Sequence, residues 1–103
     1  MIKVDYPLYS FFPINRKTAS LIVQTASHFE ALLTLEKENV ILNAKSMLGL
    51  LSQTYFDNDH FVLVADGIDE KEAVNALLAL IENWNIWKKY GYDVIKNIKN
   101  LIK

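Results

Sequence analysis

Ile2, Val4 and Tyr6 alternate with Lys3 and Asp5, the period-two pattern of a strand with one covered face. Pro7 ends it, and Tyr9-Ser10-Phe11-Phe12-Pro13 reads as a loop carrying two bulky aromatics. Asn15 can offer its side-chain oxygen to the free amides of a helix's first turn, so it is a natural N-cap. Behind it Ala19, Ile22, Val23, Ala26 and Phe29 recur at helical spacing, with Gln24, Thr25 and Ser27 between them. This predicts a helix through about residue 29 that buries one face. Ala31–Glu36 and Val40–Leu42 read as two strands of a hairpin, joined by Lys37-Glu38-Asn39, with Asn39 as the residue suited to positive φ. Ser46 opens the apolar run Met47-Leu48-Gly49-Leu50-Leu51; a strand and a short helix both fit, and the capping serine favours helix. After an Asp57-Asn58-Asp59 turn, Phe61–Ala65 is a further strand, broken by Asp66-Gly67. Asp69 then caps a helix, Glu72 completes a capping-box spacing, and Ala73, Leu77, Leu80, Ile81 and Trp84 form the buried stripe.

The order is β-α-β-β-α-β-α followed by a tail. It predicts an α+β layer, a four-stranded antiparallel sheet with helices on one face. Residues 1–84 form the domain and 85–103 a basic, amphipathic C-terminal extension. In the extension Val94, Ile95, Ile98, Leu101 and Ile102 are spaced like a helix face, with Lys96, Lys99 and Lys103 on or beside its edge and Gly91 interrupting the run.

At 103 residues the chain is the size of one domain. Its longest apolar run, Ala76–Ile81, is six residues, where a membrane span needs about 20. No apolar stretch leads to a small-residue cleavage site, which points to a cytoplasmic protein. With no cysteine there is no disulfide, thiolate metal site or cysteine nucleophile. Two histidines, His28 and His60, are too few for an all-histidine metal cage, and His28 reads as a solvated helix-end residue. Asp57, Asp59 and Asp66 serve turns, since a calcium loop needs Gly at its sixth position and Glu at its twelfth. No metal and no cofactor is expected. Three glycines cannot make a dinucleotide-binding loop or a Walker loop. No nucleophile–base–orienter set is present, so an enzyme is not indicated. Net charge is −1, which gives no general attraction to nucleic acid. The charge is unevenly divided: residues 1–83 are net −5 and residues 84–103 net +4.

Three segments carry a resemblance: Val23-Gln24-Thr25-Ala26-Ser27, then 43–52 (Asn-Ala-Lys-Ser-Met-Leu-Gly-Leu-Leu-Ser), then 66–73 (Asp-Gly-Ile-Asp-Glu-Lys-Glu-Ala). In register across about residues 2–84 they resemble the HPr family of the sugar phosphotransferase system. The resemblance implies that family's open-faced β-sandwich, βαββαβα, which agrees with the order of elements above. It also implies a Gly-(Leu/Ile)-His-Ala-Arg-Pro-Ala segment at the start of the first helix. Here that stretch is Pro13-Ile14-Asn15-Arg16-Lys17-Thr18-Ala19, which puts Asn15 where the family has its phosphoryl-accepting histidine. An amide nitrogen has its lone pair delocalised into the carbonyl and cannot take and pass on a phosphoryl group as imidazole can. His28 lies over three turns further along and His60 begins a strand, so neither substitutes. Lys17 stands in place of the family's arginine, keeping the charge and losing the planar bidentate clamp. Phe11 and Phe12 are expected to crowd the face where a phosphoryl donor docks.

The resemblance also implies a regulatory serine at the start of the short helix, and Ser46 matches it in Lys45-Ser46-Met47. A phosphate there would meet free amides and the positive helix end, worth roughly 0.3–2 kcal/mol. It would bring about −1.5 to −2 charge beside Met47, Leu48 and Leu51. Two readings of Ser46 stay open, a helix cap only or a phosphorylation site. Lacking the histidine and keeping the serine is similar to the catabolite-repression HPr-like (Crh) branch, where glutamine rather than asparagine replaces histidine. The resemblance implies as partners HPr kinase/phosphorylase and a LacI-type catabolite control repressor, met by Arg16, Lys17, Met47, Leu48 and Leu51. Pro13, Asn39, Thr54 and Asn58 replace glycines usual in the family, and Tyr55 and Phe56 add bulk near the short helix. The tail admits three readings: a helix folded back on the domain or paired with a second copy as a homodimer, a basic surface for a membrane or an acidic partner, and a disordered segment. Packed across the sheet's open face, it would bury surface that HPr leaves in water. The alternative to a regulator is therefore a degenerate HPr fold acting as an interaction or oligomerisation module through this tail.

Overall fold

The alternating segment at the start is strand β1 (Ile2–Tyr6), and Asn15 precedes helix α1 (Arg16–Ala26). Strands β2 (Leu32–Lys37) and β3 (Val40–Asn43) form the hairpin, and the short apolar run is helix α2 (Met47–Leu51). Strand β4 (Phe61–Asp66) and helix α3 (Glu70–Tyr90) follow. The computed structural model describes residues 1–8, 12–56 and 59–90, with 85–90 as backbone alone. Tyr9, Ser10, Phe11, Asp57, Asn58 and the 91–103 segment with Gly91 lie outside the described residues.

The strands pair antiparallel in the order β1-β4-β2-β3. α3 packs on β1 and β4, α1 on α3 and α2, and α2 on β3, so the three helices cover one face. The expected α+β open-faced sandwich is the fold. Period-two patterning sends Leu33, Leu35, Leu42, Phe61, Leu63 and Ala65 toward the helices, where all are buried. Ala19, Ile22 and Ala26 meet them from α1, and Ala73, Val74, Leu77 and Ile81 from α3. The Tyr6 hydroxyl, buried at the end of β1, donates to the Leu77 carbonyl at 2.7 Å, and burial raises its pKa far above the ordinary phenol range.

Three local expectations are corrected. The first helix stops at Ala26 rather than about residue 29. His28 N–H and Phe29 N–H make tighter bonds back to Thr25 and Ala26, and the next two amides are drawn out of the helix by Asp69. Asp69 precedes α3 as expected, but its carboxylate crosses to Glu30 N–H and Ala31 N–H, both at 2.9 Å, instead of closing a box with Glu72. Glu70 serves the local turn, accepting from Gly67 N–H at 3.2 Å and from the terminal ammonium of Met1. In the β2–β3 turn the positive φ falls on Glu38, at 52°, and not on Asn39.

Gly67 lies against the same junction. A Cβ there would come within 2.6 Å of Ala31 Cα, a backbone atom that cannot turn aside. Gly67→Ala is therefore expected to cost about 1–3 kcal/mol in urea denaturation, the usual range for overpacking. The Glu30 amide bond, with that of Ala31, holds the Asp69 pKa below the ordinary carboxylate range despite opposing desolvation. A depressed folded-state pKa means that the stabilisation is present above the unfolded value and is lost as pH falls through the folded one. Asp69→Asn should accordingly be less stable than the parent chain near neutral pH, with the difference shrinking in strong acid. Urea midpoints at about pH 7 and about pH 2.5 would check this.

Candidate functional site

Two helix starts carry the residues that the sequence singled out. At the first, Asn15 is extended (φ −140°, ψ −175°) and its Oδ1 accepts from Thr18 N–H at 3.0 Å. Thr18 Oγ1 in turn accepts from Asn15 N–H at 2.9 Å and donates to the Pro13 carbonyl at 2.8 Å. The result is a reciprocal capping box with threonine in the place usually held by Glu or Gln. Thr18 is fully buried, and sequence reasoning overlooked it although the Asn-x-x-Thr spacing was available. The amide of Asn15 is thus engaged in holding the helix start. Arg16 and Lys17 are exposed in a first turn with no acidic residue, at the positive end of the helix dipole. That end favours anions.

Phe12 does not crowd this surface. It is fully buried, with its ring edge-on to Trp84 at 5.8 Å and 66°, because a large aromatic gains more by filling the space between the β1–α1 loop and α3. Phe11, expected beside it, lies outside the described residues.

At the second start, Ser46 is the N-cap of α2 (φ −117°, ψ 110°), its Oγ accepting from Gly49 N–H at 3.1 Å. Helix, not strand, is the outcome for this run. A Cβ on Gly49 would stand 3.3 Å from Ser46 Oγ, so glycine keeps the hydroxyl uncrowded on that side. Lys45 turns away from Ser46 to donate to the Phe29 carbonyl at 2.7 Å. Along α2 Leu50 is buried and Met47 half-buried, whereas Leu48 is 82% and Leu51 42% exposed. A five-residue helix offers the core little more than one face, which leaves the other leucines in water.

The segment after α2 is fastened by Tyr55, which sequence reasoning assigned only as bulk near the short helix, and by Asp59, which serves a turn as expected and reaches further. Tyr55 OH donates to the Leu50 carbonyl at 2.7 Å, its ring rests on Phe61, and burial pushes its pKa up to about 12. Asp59 pairs with Lys37 and accepts from Phe56 N–H at 2.8 Å, and the Lys37 bond leads in holding its carboxyl below the usual range. A small cleft of about 160 Å³ lies beside this pair, between the β2–β3 turn and residues 53–56. No group of three or more His, Cys, Asp or Glu able to hold a metal occurs among the described residues. No helix among them is long and apolar enough to cross a membrane.

A family profile described as the PTS HPr component phosphorylation site matches residues 14–83. The chain belongs to the HPr family. The HPr-like protein Crh of Halalkalibacterium halodurans is 38% identical over 69 residues, covering 67% of this chain and 82% of that protein. Crh of Bacillus subtilis is 36% identical over 69 residues, covering 67% and 81%. Among solved structures, HPr-C-His from Thermoanaerobacter tengcongensis matches with a TM-score of 0.73 at 36% identity, over 82% of this chain and 96% of that one. This HPr-like chain is therefore similar to Crh and to HPr alike. Both helix starts lie within the matched span, and α3 runs to Tyr90, past residue 83 where the profile ends.

Asn15→Ala would remove the cap acceptor and leave Thr18 N–H without its bond. The expected loss is about 1 kcal/mol, read as a lower urea midpoint at unchanged slope.

Proposed function

We propose that this chain is a non-catalytic, regulatory HPr-like protein of the phosphotransferase system and of carbon catabolite control, modified at Ser46 and not a phosphocarrier. The observation that carries the reading is the capping box of Asn15: where the resemblance puts the family's histidine, a carboxamide is spent on Thr18 N–H. Ser46 supports the second half. Its Oγ heads a helix, takes one amide hydrogen bond, has glycine for a neighbour and stands next to the exposed Leu48 and Leu51.

In this reading HPr kinase/phosphorylase transfers the γ-phosphoryl group of ATP to Ser46 Oγ, the hydroxyl proton leaves, and ADP is released. The new dianion would face the amides of α2. A LacI-type catabolite control repressor would then read Arg16 and Lys17 together with Met47, Leu48 and Leu51. The protein works in the cytoplasm, with residues 1–84 as the HPr-like domain and 85–103 as an extension of separate role. Homodimerisation is compatible with the reading. A solved B. subtilis Crh structure, matching with a TM-score of 0.62 at 36% identity over 68% of this chain and 80% of that one, is described as a swapped, intertwined dimer.

The test is intact-mass measurement after incubation with HPr kinase/phosphorylase and ATP. The unmutated chain should gain one phosphate and Ser46→Ala none. Phosphoenolpyruvate with the system's first enzyme should label neither. No gain with the kinase would reduce Ser46 to a cap, and labelling by phosphoenolpyruvate would overturn the argument from Asn15.

A further inference from the structure

The helices cover one face of the sheet and leave the other open. Strand register arranges that open face in two rows, Lys3–Val64–Thr34–Asn43 and Asp5–Val62–Glu36–Ile41, with Leu32 beside Asp66 at one end. Val62 and Val64 are half-buried at the centre, while Ile41 is 66% and Leu32 63% exposed. Asp5, Glu36 and Asp66 outnumber Lys3 and the Met1 ammonium, which lies 3.9 Å from Asp66. It is an apolar strip with an acidic border. The chain holds one segment of matching character: residues 94–103 repeat apolar positions at Val94, Ile95, Ile98, Leu101 and Ile102, interleaved with Lys96, Lys99 and Lys103.

The direction of α3 decides which copy supplies that segment. α3 starts beside the end of β4 and runs back along the sheet, so that Leu77 meets Tyr6 at the opposite end. The 13 residues from Leu77 to Tyr90 carry the backbone about 20 Å further, at 1.5 Å per residue. Tyr90 therefore lies beyond the sheet, on its helix-covered side. Residues 91–93 span at most about 10 Å, too little to return that distance and pass round to the open face. A second copy has no such restriction.

We propose that this protein forms a symmetric dimer in which residues 94–103 of each copy lie across the open sheet face of the other. The lysines meet the Asp5, Glu36 and Asp66 border, and the apolar stripe covers Val62, Val64 and Ile41. The pairing is isologous and closes on itself, which stops growth at two copies. It is independent of the Ser46 reading.

Light scattering on the full-length chain should give twice 11.8 kDa. Ile41→Glu on the face and Ile98→Glu in the segment, each made in the full chain, should each raise the dimer Kd at least about a hundredfold, because each change is felt twice. Thermal unfolding of both variants should stay cooperative, as Ile41 supports little of the core. A monomeric full chain, or a dimer indifferent to both substitutions as strand exchange would be, would overturn the proposal.

Discussion

The Asp69 carboxylate holds two chain junctions with one group. Its oxygens accept from Glu30 N–H and Ala31 N–H, where α1 hands over to β2, while its own backbone begins α3 just after β4. Gly67 lets the two backbones touch at the same place. The contact fixes the first residues of β2 opposite the last residues of β4, Leu32 to Asp66 and Leu33 to Ala65, and the register of the central strand pair follows. A one-residue slip there would turn Leu33 and Leu35 out of the core and bring Thr34 and Glu36 into it. It also sets where α3 begins, and hence that Leu77 reaches Tyr6 and Trp84 reaches Phe12.

That arrangement explains what was legible in the sequence and what was not. Strands and helices were legible because period-two and helical patterns report burial directly, as β1 and β4 demonstrate. Asn15 and Ser46 were legible because capping is a local geometry, settled within three residues. Asp69 was misassigned for the opposite reason. Its side chain can serve its own helix or amides 38 and 39 positions away, and local spacing cannot weigh the second choice. Phe12 failed in the same way, since only the path of α3 creates the space that its ring fills. Lys37 with Asp59 is a tertiary pairing with no local signature, and Tyr55 reaches back five residues to Leu50 outside any cap or turn spacing. The Lys37–Val40 pair leaves a two-residue turn in which Glu38 and not Asn39 takes the positive φ, against the residue preference.

The two helix starts differ in what they leave free. At α1 the cap is closed on both sides, with Asn15 and Thr18 exchanging bonds and Thr18 sealed from water. Such a start is rigid and already satisfied, and an incoming group would have to displace bonds that stabilise the helix. At α2 the hydroxyl of Ser46 makes one bond to Gly49 N–H, in a helix of five residues with two leucines in water. The cost of changing its chemistry is small, and the new charge would lie beside apolar surface that a partner can bury.

The same logic separates the two faces of the molecule. On the helix side the exposed apolar groups of α2 are few, and the helix packed against it opens with the exposed cations Arg16 and Lys17, so that side suits a partner carrying its own acid or awaiting a phosphate. On the open sheet side the exposed apolar groups lie among carboxylates, so that side suits a basic partner. A chain whose final twenty residues are net +4 carries such a partner within itself. Because α3 leads that segment away from its own open face, attraction between segment and face acts between copies. The two proposed interfaces then lie on opposite sides of one domain and do not compete for surface. Phosphorylation at Ser46 would add charge on the helix side, behind the sheet from the acidic border, and the dimer would persist while the regulatory face changes state.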